Sequence, residues 1–305
     1  MLFQRWLGAH YARATATTAS ESGEGVLRGT ISVGRRWDLA VTLLNTLAPD
    51  ATFEWEAARA ALEERLDLDG RAVALWVPRE ALLPVGEPGV SQVVAGVEHA
   101  KPLDDGRLEV RRPVGIYLRR TSTEGSVLTI LGGLQPHWAR FTNRVPGSFQ
   151  LQARDLLRLP FSEEEREDLV DRIVLAAGQP EADDSQVIAA TDAWTANDLG
   201  EGNRSCVIGT PQRENDDWSA SLRRNLRKLL RQAAPALSEG KPAARALVVL
   251  GASTYAAEEK LSWALRGMDP GLYAGYDIIA VIADGLVKPL LLPGRSVLPW
   301  DVQFG

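Results

Sequence analysis

The segment from residue 186 to residue 292 constrains the fold most, because strand-like and helix-like patterns alternate along it. Apolar runs typical of strands, such as ARALVVLG, are separated by stretches with helical periodicity. YDIIAVIADGLVKPLLL predicts two strands joined by a tight turn at Asp284-Gly285. Alternation of strands and helices is typical of α/β layers. The sequence therefore predicts an α/β protein whose C-terminal half contains a mixed sheet.

The N-terminal half has a less regular pattern, which we interpret as α+β with an antiparallel sheet. Apolar residues from Trp37 to Leu47 recur at helical spacing, and a second helix is predicted from about Phe53 to Leu66. Strands are predicted at RAVALWVP, SQVVAGVE, RLEVRRPVGIYLRR and SVLTIL.

A domain boundary is expected near Leu159-Pro160, which gives an N-terminal domain of residues 1–160 and a C-terminal domain of residues 161–305. Immediately afterwards, Ser162 and Glu165 have the spacing of a capping box at the start of a helix. The predicted buried face of that helix consists of Leu169, Val170, Ile173 and Val174.

The composition narrows the kinds of site that the chain can hold. It has 305 residues, a formal net charge of −6, one cysteine and three histidines. A single cysteine excludes an intramolecular disulfide, and the histidines lack the spacing of a zinc site, so we expect no bound metal and no cofactor. No run approaches the ~20 apolar residues that cross a bilayer, and the N-terminus lacks the apolar core of a secretory signal. A soluble, cytoplasmic protein without membrane contact is expected.

The helix predicted from Trp218 to Ala233 is strongly amphipathic. Its leucines form one stripe, and at about 100° per residue its basic residues fall on the opposite side. Such a face can hold phosphates, although a solvated surface helix has the same pattern. Because the net charge is negative, any nucleic-acid contact would be weak and local to this face. The candidate nucleic-acid-binding residues are Arg223, Arg224, Arg227, Lys228 and Arg231.

The order of elements over roughly residues 162–292 resembles the second half of a PD-(D/E)XK nuclease-like domain. In that family an Asp at the end of one core strand and a Glu-x-Lys on the next bind divalent metal ions and activate water for phosphodiester cleavage. The resemblance implies Asp192, which ends SQVIAATD, as the candidate for the first position. The next strand reads CVIGTPQ from Cys206 to Gln212 and contains neither Glu nor Lys. The resemblance therefore implies a degenerate site, and the alternative for Asp192 is a turn or helix-capping carboxylate.

Other catalytic patterns are weaker. The sequence has no G-x-S-x-G motif, and Cys206 lies in an apolar strand, where a thiol normally packs as an inert side chain. An active metal-dependent hydrolase would instead need carboxylates that converge from loops. The candidates for such a site are Asp183, Asp184, Asp192, Asp198 and Glu201.

The loop from Gly132 to Gly147 crowds aromatic and basic residues beside two prolines. Tryptophan and arginine are the side chains that most often carry interface energy. We therefore predict that the loop contacts a protein partner or a ligand, whereas the alternative is that its aromatic side chains fill the base of the sheet. The predicted contact residues are His137, Trp138, Arg140, Phe141 and Arg144.

These patterns together predict a non-catalytic subunit or adaptor of an intracellular complex in nucleic-acid processing or defence. We expect a protein partner and a weak nucleic-acid contact through the helix at residues 218–233. Two alternatives stay open. One is a metal-dependent nuclease or other hydrolase with an unrecognised carboxylate site, and the other is a small-molecule-binding module that uses the loop at residues 132–147.

Overall fold

The computed structural model describes most of the chain in separate segments. These are residues 2–3, 5–6, 15–22, 26–33, 35–45, 53–67, 71–78, 81–131, 144–153, 158–179, 185–209, 218–238, 242–250 and 265–289.

Helices and strands alternate through the described segments, and the predicted α/β class is confirmed. The helices are α1 (Phe53–Arg65), α2 (Gly89–Glu98), α3 (Glu163–Ala177) and α4 (Trp218–Ser238), with a 3-10 helix at Pro270–Leu272. The strands are β1 (Thr15–Ser22), β2 (Val26–Val33), β3 (Arg35–Asn45), β4 (Val73–Trp76), β5 (Lys101–Pro102), β6 (Leu108–Ser122), β7 (Leu128–Leu131), β8 (Ser148–Ala153), β9 (Gln186–Asp198), β10 (Cys206–Ile208), β11 (Ala244–Leu250), β12 (Ile278–Ala283) and β13 (Leu286–Pro289).

The chain divides into two compact units. The continuous unit runs from Phe53 to Val207, and the split unit combines Met1–Thr52 with Ile208–Gly305. Both sides of the predicted boundary near Leu159-Pro160 thus lie in the continuous unit. The elements that carry the nuclease-like resemblance are also shared between the units, since α3 and β9 belong to the continuous unit and α4, β11, β12 and β13 to the split unit.

The sheet of the split unit has the strand order β1-β2-β3-β11-β12-β13. Strand β3 pairs antiparallel with β2 and parallel with β11, and β11 pairs parallel with β12. Every residue of β12 is buried, so both faces of the strand are covered. This explains why its sequence is an unbroken run of apolar residues. The core beneath α4 contains Leu226, Leu229, Leu230, Ala233, Leu247, Val249, Leu265, Met268, Tyr273, Tyr276, Ile279, Val281 and Ala283.

The predicted hairpin at the end of the split unit is confirmed. Strands β12 and β13 pair antiparallel, with Ala283 opposite Leu286. The two residues between them, Asp284 and Gly285, have φ values of 47° and 79°. Positive φ at both central positions is the geometry that a two-residue hairpin turn requires, and Asp-Gly supplies it at low cost.

The sheet of the continuous unit has the strand order β10-β4-β9-β6-β8-β7, with β5 beside β6. Its centre is the long antiparallel pair β6 and β9, which stays in register from Leu108 opposite Ala196 to Leu118 opposite Gln186. Two apolar clusters lie along this pair: α1 and α2 cover one, and α3 covers the other. Helix α3 begins as predicted, because the Ser162 hydroxyl accepts a hydrogen bond from the Glu165 backbone N–H at 3.4 Å.

Two secondary-structure predictions were wrong. Residues 37–47 were expected to be helical, but they lie largely in strand β3, whose pairing with β2 and β11 overrides the helical spacing of its apolar residues. SQVVAGVE was expected to be a strand, but it lies in α2. In that helix Val90, Val93 and Val97 have the spacing i, i+3 and i+7, and they are buried together on one face.

Helix α2 also lies unusually close to β6. A Cβ atom added at Gly96 would lie 2.5 Å from the backbone carbonyl oxygen of Arg111 and 3.2 Å from Cγ1 of Val110. Glycine at this position therefore lets the helix backbone approach the strand backbone directly.

Candidate nucleic-acid interface

Helix α4 places four of its five predicted basic residues on the side opposite its buried leucines. Leu226, Leu229 and Leu230 are buried in the core of the split unit. Arg224, Lys228 and Arg231 are exposed, and Arg227 is half-buried. We call these four basic residues, Arg224, Arg227, Lys228 and Arg231, the basic face of α4.

Arg223 differs from the four residues of the basic face. It is half-buried, and its Nη2 donates a hydrogen bond to the backbone carbonyl oxygen of Arg266. The same nitrogen would lie 3.0 Å from a Cβ atom added at Gly267. Arg223 thus holds the start of α4 against the segment that precedes the 3-10 helix, which leaves its guanidinium less available to an external ligand.

The charge pattern of α4 differs from those of the other charged helices. In α1, Arg59 pairs with Glu56 at 2.6 Å and with Glu63 at 2.9 Å. In α3, Arg172 pairs with Asp168 at 3.1 Å. Helix α4 contains no Asp or Glu.

Within the described ranges, moreover, no ion pair joins Arg227, Lys228 or Arg231 to an acidic side chain. Arg227 and Arg231 are instead like-charge neighbours at i, i+4. Such a pair destabilises a helix by about 0.2–0.5 kcal/mol. An anion bound across the basic face would relieve this repulsion.

Tyr276 supports α4 from its buried side. Its hydroxyl donates a hydrogen bond to the backbone carbonyl oxygen of Leu230 at 2.5 Å. Burial raises the pKa of Tyr276 from its ordinary value of 10 to about 12. The phenol is therefore kept protonated in the folded protein at pH values where the unfolded chain would release the proton.

The Tyr276 pKa gives an alkaline stability test. The pKa of Tyr276 is higher in the folded protein than in the unfolded chain. The neutral phenol therefore contributes fully to the free energy of unfolding below pH 10, and this contribution is lost as the pH rises to about 12. We expect the melting temperature of the wild type to fall more steeply across this range than that of Tyr276→Phe. The variant should also lose about 0.5–1.5 kcal/mol at neutral pH, for the missing hydrogen bond. Parallel pH curves for the two proteins would contradict the burial of this hydroxyl.

The carboxylate of Asp192 lies inside the continuous unit, where it accepts hydrogen bonds from three protein donors. Asp192 has no exposed surface, and it sits within β9 rather than at the strand end. Its Oδ1 accepts the backbone N–H of Arg158 at 2.8 Å. Its Oδ2 accepts Nε1–H of Trp194 at 2.8 Å and Nη2–H of Arg112 at 3.1 Å. Asp192 therefore lies inside a strand, and it is neither a turn nor a helix-capping carboxylate.

Arg112 and Asp192 form a buried ion pair between the two apolar clusters. They face each other across β6 and β9, flanked in register by Val110 opposite Trp194 and by Val114 opposite Ala190. The Arg112 guanidinium also lies over the Trp194 ring, 5.1 Å from its centroid. Burial raises the pKa of Asp192, whereas the Arg158 N–H, the Arg112 charge and the Trp194 N–H act in the opposite direction.

The strands that would have to carry a nuclease-like metal site are not neighbours. Strand β4 lies between β9 and β10 in the sheet. Cys206, at the start of β10, is half-buried, and burial raises the pKa of its thiol. A protonated thiol is a poor nucleophile and a poor metal ligand, which agrees with a packing role.

The alternative carboxylate site is only partly described. Asp198 is exposed, and its Oδ1 accepts the backbone N–H of Gly200 at 2.7 Å, while Glu201 is exposed on the following turn. Asp183 and Asp184 lie outside the described residues. Across the segments that the structure describes, no three His, Cys, Asp or Glu side chains are placed to hold a metal ion together.

Most of the predicted partner loop, including His137, Trp138, Arg140 and Phe141, lies outside the described residues. Arg144 is described, and it is exposed. Its Nη1 pairs with Oδ1 of Asp171 on α3 at 2.7 Å. This surface ion pair ties the end of the loop to the helix.

The comparisons with known proteins give no relative from which a function could be transferred. No protein-family model matches the chain, and no curated protein or solved structure matches it significantly. None of the helices in the described segments is long and apolar enough to cross a membrane.

Proposed function

We propose that the protein is a non-catalytic subunit or adaptor that contacts nucleic acid through the basic face of α4. The observation that carries this proposal is the concentration of four basic residues on the side of α4 opposite its buried leucines, with no acidic residue in the helix. A nucleic-acid backbone is a polyanion and complements such a face.

The negative net charge of the protein and the mixed charges of its other helices strengthen the argument that the basic face binds an anion. The formal net charge is −6, so the positive potential is local to α4 rather than general. A helix that needs only to be solvated gains solubility from mixed charges, as α1 and α3 show with their paired arginines. The absence of acidic residues from α4 favours a role in binding over a role in solubility alone.

Two observations support a non-catalytic role. All the contacts of the Asp192 carboxylate described above are with protein donors, and the side chain has no exposed surface on which a metal ion could be bound. The strand from Cys206 to Gln212 has no Glu-x-Lys. In a degenerate nuclease-like protein, catalysis would be supplied by a protein partner, and this chain would supply the contact with nucleic acid.

The proposal is tested with purified protein and a fluorescein-labelled 20-base-pair duplex. We expect the fluorescence anisotropy to show binding at 50 mM salt that weakens steeply by 200 mM, as phosphate contacts require. The same duplex incubated with Mg²⁺ or Mn²⁺ should stay intact. Cleavage that Asp192→Ala abolishes in a still-folded protein would overturn the non-catalytic assignment. No binding at 50 mM salt would overturn the nucleic-acid contact.

A further inference from the structure

We infer that the ligand of the basic face is double-stranded nucleic acid, held by its phosphates, rather than a single strand. This inference rests on the proposed function and adds the class of nucleic acid. Its basis is the arrangement of the charges on α4 together with the kinds of side chain that surround them.

The four charges form a compact and firmly supported array. At about 1.5 Å of rise per residue, Arg224 and Arg231 are separated by roughly 10 Å along the helix axis. At about 100° per residue, all four basic residues fall within an arc of roughly 100°. The opposite side of the helix is fixed by Leu226, Leu229 and Leu230, which are packed in the core.

A duplex matches an array of this kind. Its two strands together present a charge about every 1.7 Å along the axis, on a backbone that is already rigid. Because the duplex and the helix backbone are ordered before they meet, the conformational freedom lost on binding is mainly that of the basic side chains. Four basic groups within roughly 10 Å can therefore meet several phosphates at once.

A single strand would need a different surface. Proteins that hold single strands combine basic residues with exposed aromatic side chains on which the bases stack, and this stacking offsets the cost of ordering a flexible chain. The exposed neighbours of the basic face toward the end of α4 are Gln232, Ala234 and Pro235. The aromatic side chains described beneath the helix, Tyr273 and Tyr276, are buried in the core and cannot stack on a ligand.

The test compares one 20-base-pair duplex with one of its strands, chosen to be free of self-complementarity. Anisotropy titrations from 50 to 200 mM salt should show the duplex bound about tenfold more tightly at 50 mM. Log affinity for the duplex should fall with log salt, and the magnitude of the slope should not exceed about 3.6, the value for four phosphates at about 0.9 each. A second titration uses the triple variant Arg224→Ala, Lys228→Ala, Arg231→Ala, in which the preference for the duplex should disappear.

The outcomes separate this inference from the proposed function. Equal or tighter binding of the single strand would overturn the duplex inference and leave the nucleic-acid contact standing. A preference for the duplex that persists in the triple variant would overturn it too, because the preference would then arise elsewhere. Binding of neither probe would remove the proposed function itself. Should the triple variant fail to fold, the binding of the duplex and of the single strand is compared in the single variant Lys228→Glu, in which only one side chain is changed.

Discussion

Replacing Asp192 with asparagine is expected to cost about 3–5 kcal/mol of the free energy of unfolding, because the buried Arg112 would lose the carboxylate charge beside it. The side chains of Asp192 and Arg112 are 0% and 8% exposed. Solvent therefore cannot compensate for the lost carboxylate charge. Urea unfolding monitored by circular dichroism measures the effect.

Two further variants make the Asp192 prediction specific. Asp168→Asn removes the exposed partner of Arg172 on α3, and it should cost no more than about 1 kcal/mol. The double variant Asp192→Leu, Arg112→Met removes both buried charges and should recover much of the stability that Asp192→Asn loses, because apolar side chains often replace a buried ion pair without loss. Equal costs for Asp192→Asn and Asp168→Asn would contradict the buried pair.

The largest expected change in binding follows from removing three charges of the basic face. The variant Arg224→Ala, Lys228→Ala, Arg231→Ala should flatten the slope of log affinity against log salt by two to three units on duplex DNA, at about 0.9 for each phosphate that is no longer neutralised. A fourfold rise in salt should then weaken binding by the wild type roughly 20- to 60-fold more than binding by the variant. Anisotropy titrations with a 20-base-pair duplex provide the measurement.

A control triple variant shows whether the change in slope depends on where the three charges are removed or only on how many are removed. Arg59→Ala, Arg65→Ala, Arg172→Ala removes the same charge from α1 and α3, where each arginine has an acidic partner. This control should keep the wild-type slope. The reverse result, a flattened slope in the control and an unchanged slope in the α4 variant, would place the nucleic-acid contact on the continuous unit.

Elements with strong local patterns could be predicted from the sequence. The leucine stripe of α4, the N-cap at Ser162 and the Asp284-Gly285 turn each depend on residues within a few positions of one another, and all three occur as expected. Of the predicted capping box only the Ser162 half is formed, because the Glu165 carboxylate pairs with Arg111. Strand β3 could not be predicted in this way, because its conformation depends on pairing with β11, far along the chain. Helix α2 was mistaken for a strand because valine is common in strands, although its valines also had helical spacing.

The surroundings of Asp192 illustrate how much of a site a sequence can indicate. Neither Arg112 nor Trp194 was predicted to contact this carboxylate, although a signal for the ion pair was present. Arg112 interrupts the inward-facing row of β6, and Asp192 interrupts that of β9. Two opposite charges at inward positions of two strands favour a buried pair if the strands are neighbours. That β6 and β9 are neighbours became clear only from the fold.

The parallel pairing of β3 with β11 has a consequence for how the chain is made. Leu39 lies opposite Ala244, about 200 residues later, and the whole continuous unit is encoded between them. During synthesis from the N-terminus, β3 emerges long before its parallel neighbour, and its edge stays open for pairing until β11 has left the ribosome. The continuous unit has all its strands available earlier. The sheet of the split unit is therefore completed after the continuous unit, although β3 is made before it, and a ribosome that stalls before residue 244 would release a chain with an unpaired β3 edge.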